Sequence, residues 1–182
     1  MKVIGVVGFP ASGKGEFSNS AASMGIPVIV MGDVIREAVQ KAGLLPTDAN
    51  MGMTANRLRA EGGMAAIAKL CIPIIERQKA PLVLVDGIRG DMEVQVFRKH
   101  FADFVLVGIT SDFKNRLKRL GTRGRSDDKG SPEALRCRDE RELGWGLGAA
   151  LKIVDLSIEN NGSLEDYAKR VQALIEEMRS QK

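Results

Sequence analysis

One stretch of this sequence decides the fold: Gly8-Phe9-Pro10-Ala11-Ser12-Gly13-Lys14-Gly15. It follows an apolar run, Val3-Ile4-Gly5-Val6-Val7, that is typical of a buried strand. A segment from Glu16 to Met24 without proline comes after it and favours a helix. Strand, glycine-rich turn and helix are the context that a phosphate-binding loop requires. Glycines let successive amides turn inward, and these amides and the positive helix N-terminus can surround a polyphosphate.

The same stretch predicts the binding of a nucleoside triphosphate, ATP, by a P-loop. Lys14 adds a point charge toward the outer phosphates. Most P-loops place Ser or Thr after this lysine to contact Mg²⁺, whereas this chain has Gly15 and then Glu16. We therefore expect Mg²⁺ to be held largely through water, phosphates and distant carboxylates. The residues predicted to bind ATP are Gly8, Phe9, Pro10, Ala11, Ser12, Gly13, Lys14, Gly15 and Glu16.

The composition is ordinary for one globular domain spanning residues 1–182. Hydrophobic residues make up 44% of the chain and charged residues 27%, as in typical soluble proteins. No apolar run approaches the ~20 residues of a membrane span, so we expect no membrane association. Cys71 and Cys137 form no CxxC pair, which argues against a zinc site or a disulfide framework. A cytoplasmic location fits these features best.

Basic residues are concentrated between Lys114 and Arg141, where ten Lys and Arg residues outnumber five Asp and Glu residues. A basic segment of this kind attracts the phosphate of a small ligand or of a nucleic acid. The segment holds no aromatic residue that could stack on bases, since Phe113 and Trp145 only flank it. We therefore favour a clamp for a small nucleotide over a nucleic-acid surface.

Short apolar runs alternate with helical patterns, which predicts an α/β fold with a parallel sheet covered by helices. Two segments, 43–80 and 119–148, are longer than a single crossover requires. A last helix is predicted after Ser163, which forms a capping box with Asp166. The predicted strands are Lys2–Val7, Pro27–Val30, Leu82–Asp86, Asp103–Ile109 and Lys152–Ile158.

Two further motifs follow the second and third predicted strands. Gly32-Asp33-Val34-Ile35-Arg36 suggests a helix with Asp33 as its N-cap and Arg36 one turn later on the same side. Val83-Leu84-Val85-Asp86-Gly87-Ile88-Arg89 suggests a strand that ends in a carboxylate suited to orient Mg²⁺ or its waters. Both motifs are expected at the carboxyl ends of the strands, where open α/β sheets bind ligands.

These motifs, in this order, resemble the adenylate-kinase-like nucleoside monophosphate kinases over most of the chain. The resemblance is carried by Gly13-Lys14-Gly15, by Gly32-Asp33-x-x-Arg36 and by Asp86-Gly87-x-Arg89, which is one residue shorter than in that family. It implies a P-loop NTPase fold with strand order 2-3-1-4-5, an acceptor-binding arm at 43–80 and a short lid at 119–148. It also implies that Arg36 and Arg89 contact the acceptor phosphate beside Asp33.

The predicted lid carries further arginines. Gly124-Arg125-Ser126-Asp127-Asp128 resembles the short lid of uridylate–cytidylate kinases, which implies that Arg119 and Arg125 are lid arginines. Counting from Asp128 makes Arg136 the third, whereas matching Glu-x-Leu-x-x-Arg makes it Arg138. Several cations on a closing segment suit phosphoryl transfer, because the charge of the transferred group must be stabilised.

The predicted arm holds Arg57 and Arg59, separated by Leu58. We expect Arg57 to bind the acceptor, and further candidates to read a base or another phosphate are Thr54, Asn56, Arg59 and Glu61-Gly62-Gly63. The alternative is that one or both arginines belong to the polar face of a helix whose Leu58 packs inward.

The resemblance implies transfer of the γ-phosphoryl group of ATP·Mg²⁺ to a nucleoside monophosphate or nucleotide-like acceptor. Asp86 would orient Mg²⁺. One alternative is a dephospho-coenzyme A or other small-metabolite kinase, in which Asp33 would serve as base for a hydroxyl acceptor. Another is an ATP-gated switch or RNA-associated ATPase. The residues expected to stabilise the transferred group are Lys14, Arg119, Arg125 and either Arg136 or Arg138.

Overall fold

The computed structural model describes residues 1–123 and 131–180, which contain five strands and nine helices. The strands are β1 (Lys2–Val7), β2 (Val28–Val30), β3 (Leu82–Ile88), β4 (Asp103–Thr110) and β5 (Leu156–Glu159). The helices are α1 (Lys14–Ser23), α2 (Met31–Lys41), α3 (Asp48–Gly62), α4 (Ala66–Glu76), α5 (Asp91–His100), α6 (Phe113–Arg123), α7 (Pro132–Gly144), α8 (Leu147–Lys152) and α9 (Leu164–Ser180).

All strand pairs in the sheet are parallel, and the order is β2-β3-β1-β4-β5. The predicted order 2-3-1-4-5 is therefore confirmed. β1 lies between β3 and β4, so the chain leaves β1 toward one side of the sheet and later returns to its other side. Ligands of open α/β sheets bind at this switch point, outside the carboxyl ends of the strands.

Both faces of the sheet are covered, which explains why residues 3–7 of β1 and 82–85 of β3 are apolar. Val3 and Val7 pack in a core with α4, α5 and α8, whereas Ile4 and Val6 pack in a second core with α1 and α9. Successive side chains of a strand point to opposite faces. Alternate residues of β1 therefore enter different cores, and the strand that leads into the glycine-rich loop is held from both sides.

The starts of the fifth strand and of α2 differ most from the sequence-based prediction. The fifth strand begins at Leu156 rather than Lys152, because Leu147–Lys152 forms α8. α2 begins at Met31 directly after β2, with Val30 as its N-cap. Asp33 is therefore not the helix cap but lies in the first turn, where a carboxylate complements the positive end of the helix dipole.

The last helix agrees with its predicted cap. α9 begins at Leu164, and Ser163 Oγ accepts a hydrogen bond of 3.1 Å from Asp166 N. Tyr167, Val171, Ile175 and Met178 are the buried residues of this helix. Their spacing of three to four residues is that of one apolar helix face.

None of the helices in residues 1–123 and 131–180 is both long and apolar enough to cross a membrane.

Candidate functional site

A cavity of about 930 Å³ lies where the glycine-rich loop, α2 and the end of β3 meet. The residues after β1, β2 and β3 all contribute to its wall, as expected for a switch point. α3 and α7 supply further residues, as do α4, α5, α6 and the segment after β5. The lining includes these residues singled out from the sequence: Pro10, Ala11, Gly13, Lys14, Gly15, Glu16, Asp33, Arg36, Asp86, Arg89, Arg119 and Arg138.

The shape of the loop between β1 and α1 requires left-handed backbone conformations. Ala11 and Gly13 both have positive φ angles, of 59° and 117°. Asn160 Nδ2 donates to Ser12 O at 2.9 Å, and a Cβ atom on Gly13 would overlap this amide group. Glycine is thus required at position 13 both by its left-handed backbone and by the close approach of Asn160.

Lys14 is buried at the base of this loop. Its Nζ donates hydrogen bonds to Gly8 O at 2.6 Å and to Phe9 O at 2.9 Å. Burial lowers the pKa of Lys14 to about 7, and the nearby Arg89 guanidinium acts in the same direction. Glu142 and Asp86 act in the opposite direction but do not offset burial. Near neutral pH, this amine is therefore poised between its charged and neutral forms.

Asp86 lies beside the loop, near the end of β3. Ser18 Oγ lies 2.9 Å from Asp86 Oδ2 and 3.0 Å from Lys14 O, so these two acceptors share its single hydroxyl proton. Mg²⁺ prefers oxygen ligands and is commonly held by one or two carboxylates together with phosphates and water. The carboxylate and hydroxyl oxygens beside the phosphate loop fit that preference. No cluster of three or more His, Cys, Asp or Glu residues that could hold a metal is found in residues 1–123 and 131–180.

Arg119 of α6 lies against the opposite side of the loop. Its Nη1 donates to Ser111 Oγ at 2.9 Å and its Nη2 to Asn160 O at 2.7 Å. Arg116, one turn earlier, pairs with Asp139 through two bonds of 2.9 and 2.8 Å and also donates to Pro10 O at 3.2 Å. Arg116 therefore braces the loop from behind, whereas Arg119 reaches the cavity.

The arginines predicted to bind the acceptor are held by carboxylates. Arg36 Nη1 donates to Asp33 Oδ1 on the same face of α2. Arg89 Nε lies 3.2 Å from Glu142 Oε2 of α7, a carboxylate whose side chain is only 3% exposed. Arg89 is thus oriented by a buried carboxylate, whereas the pair of Arg36 and Asp33 is exposed to solvent.

Arg57 does not line the cavity, whereas Arg59 does. Arg57 is exposed and lies 3.9 Å from Glu61 on the outer face of α3. The two arginines are separated by about 200° around the helix, so only one can face inward. Arg59 is the inward one, and its Nη2 donates to Glu93 Oε1 at 2.9 Å. The expectation for Arg57 thus does not fit the structure, because the helix turns this side chain away.

The candidates for lid arginines fall in different places. Arg138 lines the cavity, with its Nε 3.6 Å from Asp48 Oδ1. The Cζ atom of Arg136 lies 4.8 Å from the centre of the Phe113 ring, and Arg136 does not contribute to the wall of this cavity. Of the two ways to choose the third lid arginine, the match to Glu-x-Leu-x-x-Arg therefore gives the one that lines the cavity, Arg138. Arg125 lies outside the described residues.

Among the charged and aromatic residues that line the cavity, five were not predicted as site residues: Asp48, Glu93, Arg141, Glu142 and Trp145. Asp48 Oδ1 and Oδ2 accept bonds of 2.7 and 2.9 Å from the two terminal nitrogens of Arg141. Trp145 Nε1 donates to Asn56 Oδ1 at 2.7 Å. These contacts join α3 to α7 across the cavity. The sequence signal for Asp48, Arg141 and Glu142 was the density of charge in the two long connections, whereas Glu93 lies outside them.

Residues 7–136 match a family described as the AAA domain. A UPF0200 protein of Methanoregula boonei is 63% identical over 178 residues, which is 98% of this chain and 98% of that protein. This chain belongs to the UPF0200 family. The identity extends over nearly the whole length, so the loop, the arm and α7 are all within the matched region.

Two solved structures with TM-scores near 0.6 have the same fold as this UPF0200 chain. Shikimate kinase from Bacteroides thetaiotaomicron has a TM-score of 0.61 at 14% identity, with 96% of this chain and 98% of that chain covered. Dephospho-CoA kinase from Campylobacter jejuni has a TM-score of 0.59 at 18% identity, with 98% of each chain covered. The fold is therefore that of the P-loop kinases.

Proposed function

We propose that this protein is an ATP-dependent phosphotransferase that moves the γ-phosphoryl group of ATP·Mg²⁺ to a nucleoside monophosphate or nucleotide-like acceptor. One observation carries the proposal. The phosphate loop with Lys14 and a second group of cations on other elements line the same cavity. Two polyanions can therefore be held face to face, as phosphoryl transfer requires. The members of the second group are Arg36, Arg59, Arg89, Arg138 and Arg141.

The reaction needs no proton transfer when the acceptor is a phosphate. An acceptor phosphate oxygen forms a bond to the γ-phosphorus, and the bond between this phosphorus and the β–γ bridging oxygen breaks. ADP leaves with that electron pair. The charge that spreads over the γ-phosphoryl oxygens is stabilised by positioned cations, a role that suits Lys14 and Arg119 beside the loop and Arg138 on α7.

Asp86 and Ser18 are the residues that would hold Mg²⁺, directly or through water. At this position, Mg²⁺ would supply positive charge that offsets part of the charge of the phosphates. Ser18 hydrogen-bonds to Asp86 and thereby fixes the orientation of the carboxylate. Ser18 thus supplies a hydroxyl oxygen near the phosphate loop, although the residue after Lys14 is a glycine.

The arginines of the second group favour an acceptor that carries a negative charge. Arg89 is held by Glu142, and Arg138 and Arg141 share the single carboxylate of Asp48. Together with Arg36 and Arg59, these arginines line one cavity. A phosphate group of the acceptor would form charge-assisted hydrogen bonds with these arginines.

The test is incubation of the pure protein with ATP·Mg²⁺ and a panel of acceptors, followed by mass spectrometry of the products. The panel contains AMP, CMP, UMP, GMP, their deoxy forms and dephospho-coenzyme A, with Lys14→Ala as the control. We expect one nucleotide to gain a phosphate and Lys14→Ala to lose this product. Phosphorylation of dephospho-coenzyme A alone would favour a hydroxyl acceptor. ATP hydrolysis without a phosphorylated acceptor would favour a nucleotide-gated switch.

A further inference from the structure

Arg59 is the most buried arginine in the wall of the cavity, with 5% of its surface exposed. Two contacts hold it in place. Its Nη2 donates to Glu93 Oε1 at 2.9 Å, and its Cζ atom lies 4.3 Å from the centre of the Trp145 ring. The other oxygen of Glu93 accepts a 2.7 Å bond from Arg89 N. One buried carboxylate thus holds both the arm arginine and the segment after β3.

The remaining hydrogen-bond donors of Arg59 are unsatisfied. Neither Nε nor Nη1 has a hydrogen-bond acceptor within residues 1–123 and 131–180, and both atoms are buried. A buried donor without a partner is destabilising, because it has given up its hydrogen bonds to water. Such groups are rare in folded proteins and usually indicate a bound ion or water. Arg89 Nη1 nearby is also buried and without a hydrogen-bond partner in this part of the chain.

Stability alone does not account for this arrangement. Burial lowers the pKa of the Arg59 guanidinium, Glu93 raises it, and the neighbouring Arg89 lowers it further. Burial also raises the pKa of the Glu93 carboxyl group, against the effect of Arg59. A buried ion pair is often no more stabilising than apolar residues of the same volume. Its benefit here is a guanidinium held rigidly at the cavity wall.

We infer that Arg59 is an anion-binding residue that receives a phosphate or carboxylate group of the acceptor, and that Glu93 and Trp145 are its positioning residues. Glu93 occupies one edge of the guanidinium and Trp145 one face, so the remaining nitrogens are left for the ligand. Ala55, one turn earlier on the same face of α3, also lines the cavity. The acceptor therefore presents its anionic group next to an apolar part.

The statement that the ligand is the phosphate acceptor rests on the proposed function. Anion binding at Arg59 can nevertheless be tested without turnover. Trp145 is the only tryptophan in the chain and contacts Arg59, so its fluorescence reports on this site. The test uses Lys14→Ala protein, which weakens phosphate binding at the loop. It is titrated with inorganic phosphate and, separately, with acetate. We expect a saturable change in emission with at least one of the two anions, which also identifies the preferred group.

Three variants in the same background decide the assignment. Arg59→Lys keeps the charge beside Glu93 and so preserves the fold, but it removes the planar fork; we expect the anion to bind at least tenfold more weakly. Arg57→Gln, on the opposite face of the same helix, should leave binding unchanged. Glu93→Gln should weaken binding, and combining it with Arg59→Lys should add no further loss, because both changes act on one site.

The inference and the proposed function fail in different ways. An absent emission response, or an unchanged response in Arg59→Lys, would overturn the role of Arg59 even if nucleotides are phosphorylated. An emission response that depends on Arg59, with no phosphorylated product from any acceptor, would leave the anion site standing and remove the proposed phosphotransferase. Binding of a fluorescent ATP analogue to Arg59→Lys protein with native Lys14 should equal that of the wild type, since Arg59 lies outside the loop.

Discussion

Ser18 Oγ donates a 2.9 Å hydrogen bond to Asp86 Oδ2, which joins the first helix to the end of the third strand. The hydroxyl lies one helical turn after Lys14 and also bonds to the carbonyl of that lysine. In most P-loops the residue that follows the lysine supplies the hydroxyl near Mg²⁺. Here Gly15 cannot, and Ser18 brings a hydroxyl to the same carboxylate from a later position.

Replacement of Ser18 by Ala should weaken Mg²⁺-dependent ATP binding about tenfold, because residues that orient a metal-binding carboxylate typically contribute 10–100-fold to affinity. Binding of ATP without Mg²⁺ should change much less. Isothermal titration with and without Mg²⁺ measures both affinities. Ser23→Ala is the matched control, since Ser23 makes a similar bond to Ser20 O at the other end of the helix. Equal losses with and without Mg²⁺ would contradict the assignment.

ATP binding should weaken as the pH rises from 7 to 9. Burial lowers the pKa of Lys14 to about 7, so the free protein loses this charge above neutral pH, whereas phosphate in the site favours the charged form. Binding must then take up a proton, and affinity falls by up to about tenfold per pH unit. Lys14→Arg, which stays charged, should flatten the profile. Identical slopes for the two proteins would rule out titration of Lys14.

Removal of Asp139 should destabilise the protein strongly. Arg116 is 5% exposed and depends on Asp139 for two hydrogen bonds. Asp139→Ala leaves this charge buried without its carboxylate, which costs about 3–5 kcal/mol. Urea unfolding measures the loss. Glu165→Ala breaks an exposed pair with Lys169 and should change the free energy of unfolding by less than about 1 kcal/mol. Similar effects of the two changes would refute the bracing role of Arg116.

Asp48 and Arg141 should be energetically coupled across the cavity. Their two hydrogen bonds of 2.7 and 2.9 Å join α3 to α7, and the hydrogen bonding to Asp48 raises the pKa of Arg141. Both side chains are partly exposed, so we expect a coupling free energy of about 1 kcal/mol. A double-mutant cycle with Asp48→Ala and Arg141→Ala measures it. A coupling indistinguishable from zero would mean that the pair does not tie the two helices together.

The sheet could be predicted from the sequence because β1, β2 and β3 each end in a local sequence signal. Runs of Val, Ile and Leu end in Gly8, Gly32 and Asp86-Gly87, and these ends meet at one edge of the sheet. The capping box at Ser163 is equally local. The fifth strand was placed too early, because the apolar pattern around Leu151 serves a short helix as well as it would serve a strand.

The acceptor side was predicted less well, because its geometry depends on contacts between distant segments. Which of Arg57 and Arg59 faces inward is set by the packing of α3, which no neighbouring residue reveals. Arg59 and Glu93 are 34 residues apart, and only the fold brings the end of α3 to the start of α5. Glu142 likewise reaches Arg89 only once α7 lies over the carboxyl ends of the strands.

The most direct test of the central claim follows the γ-phosphoryl group itself. ATP labelled with ³²P at the γ position is mixed with the protein, Mg²⁺ and the acceptor panel, and labelled products are separated and counted. The account predicts that the label moves to one acceptor in a one-to-one ratio with ADP, and that Lys14→Ala abolishes this transfer. Label recovered only as inorganic phosphate, whatever acceptor is present, would contradict it.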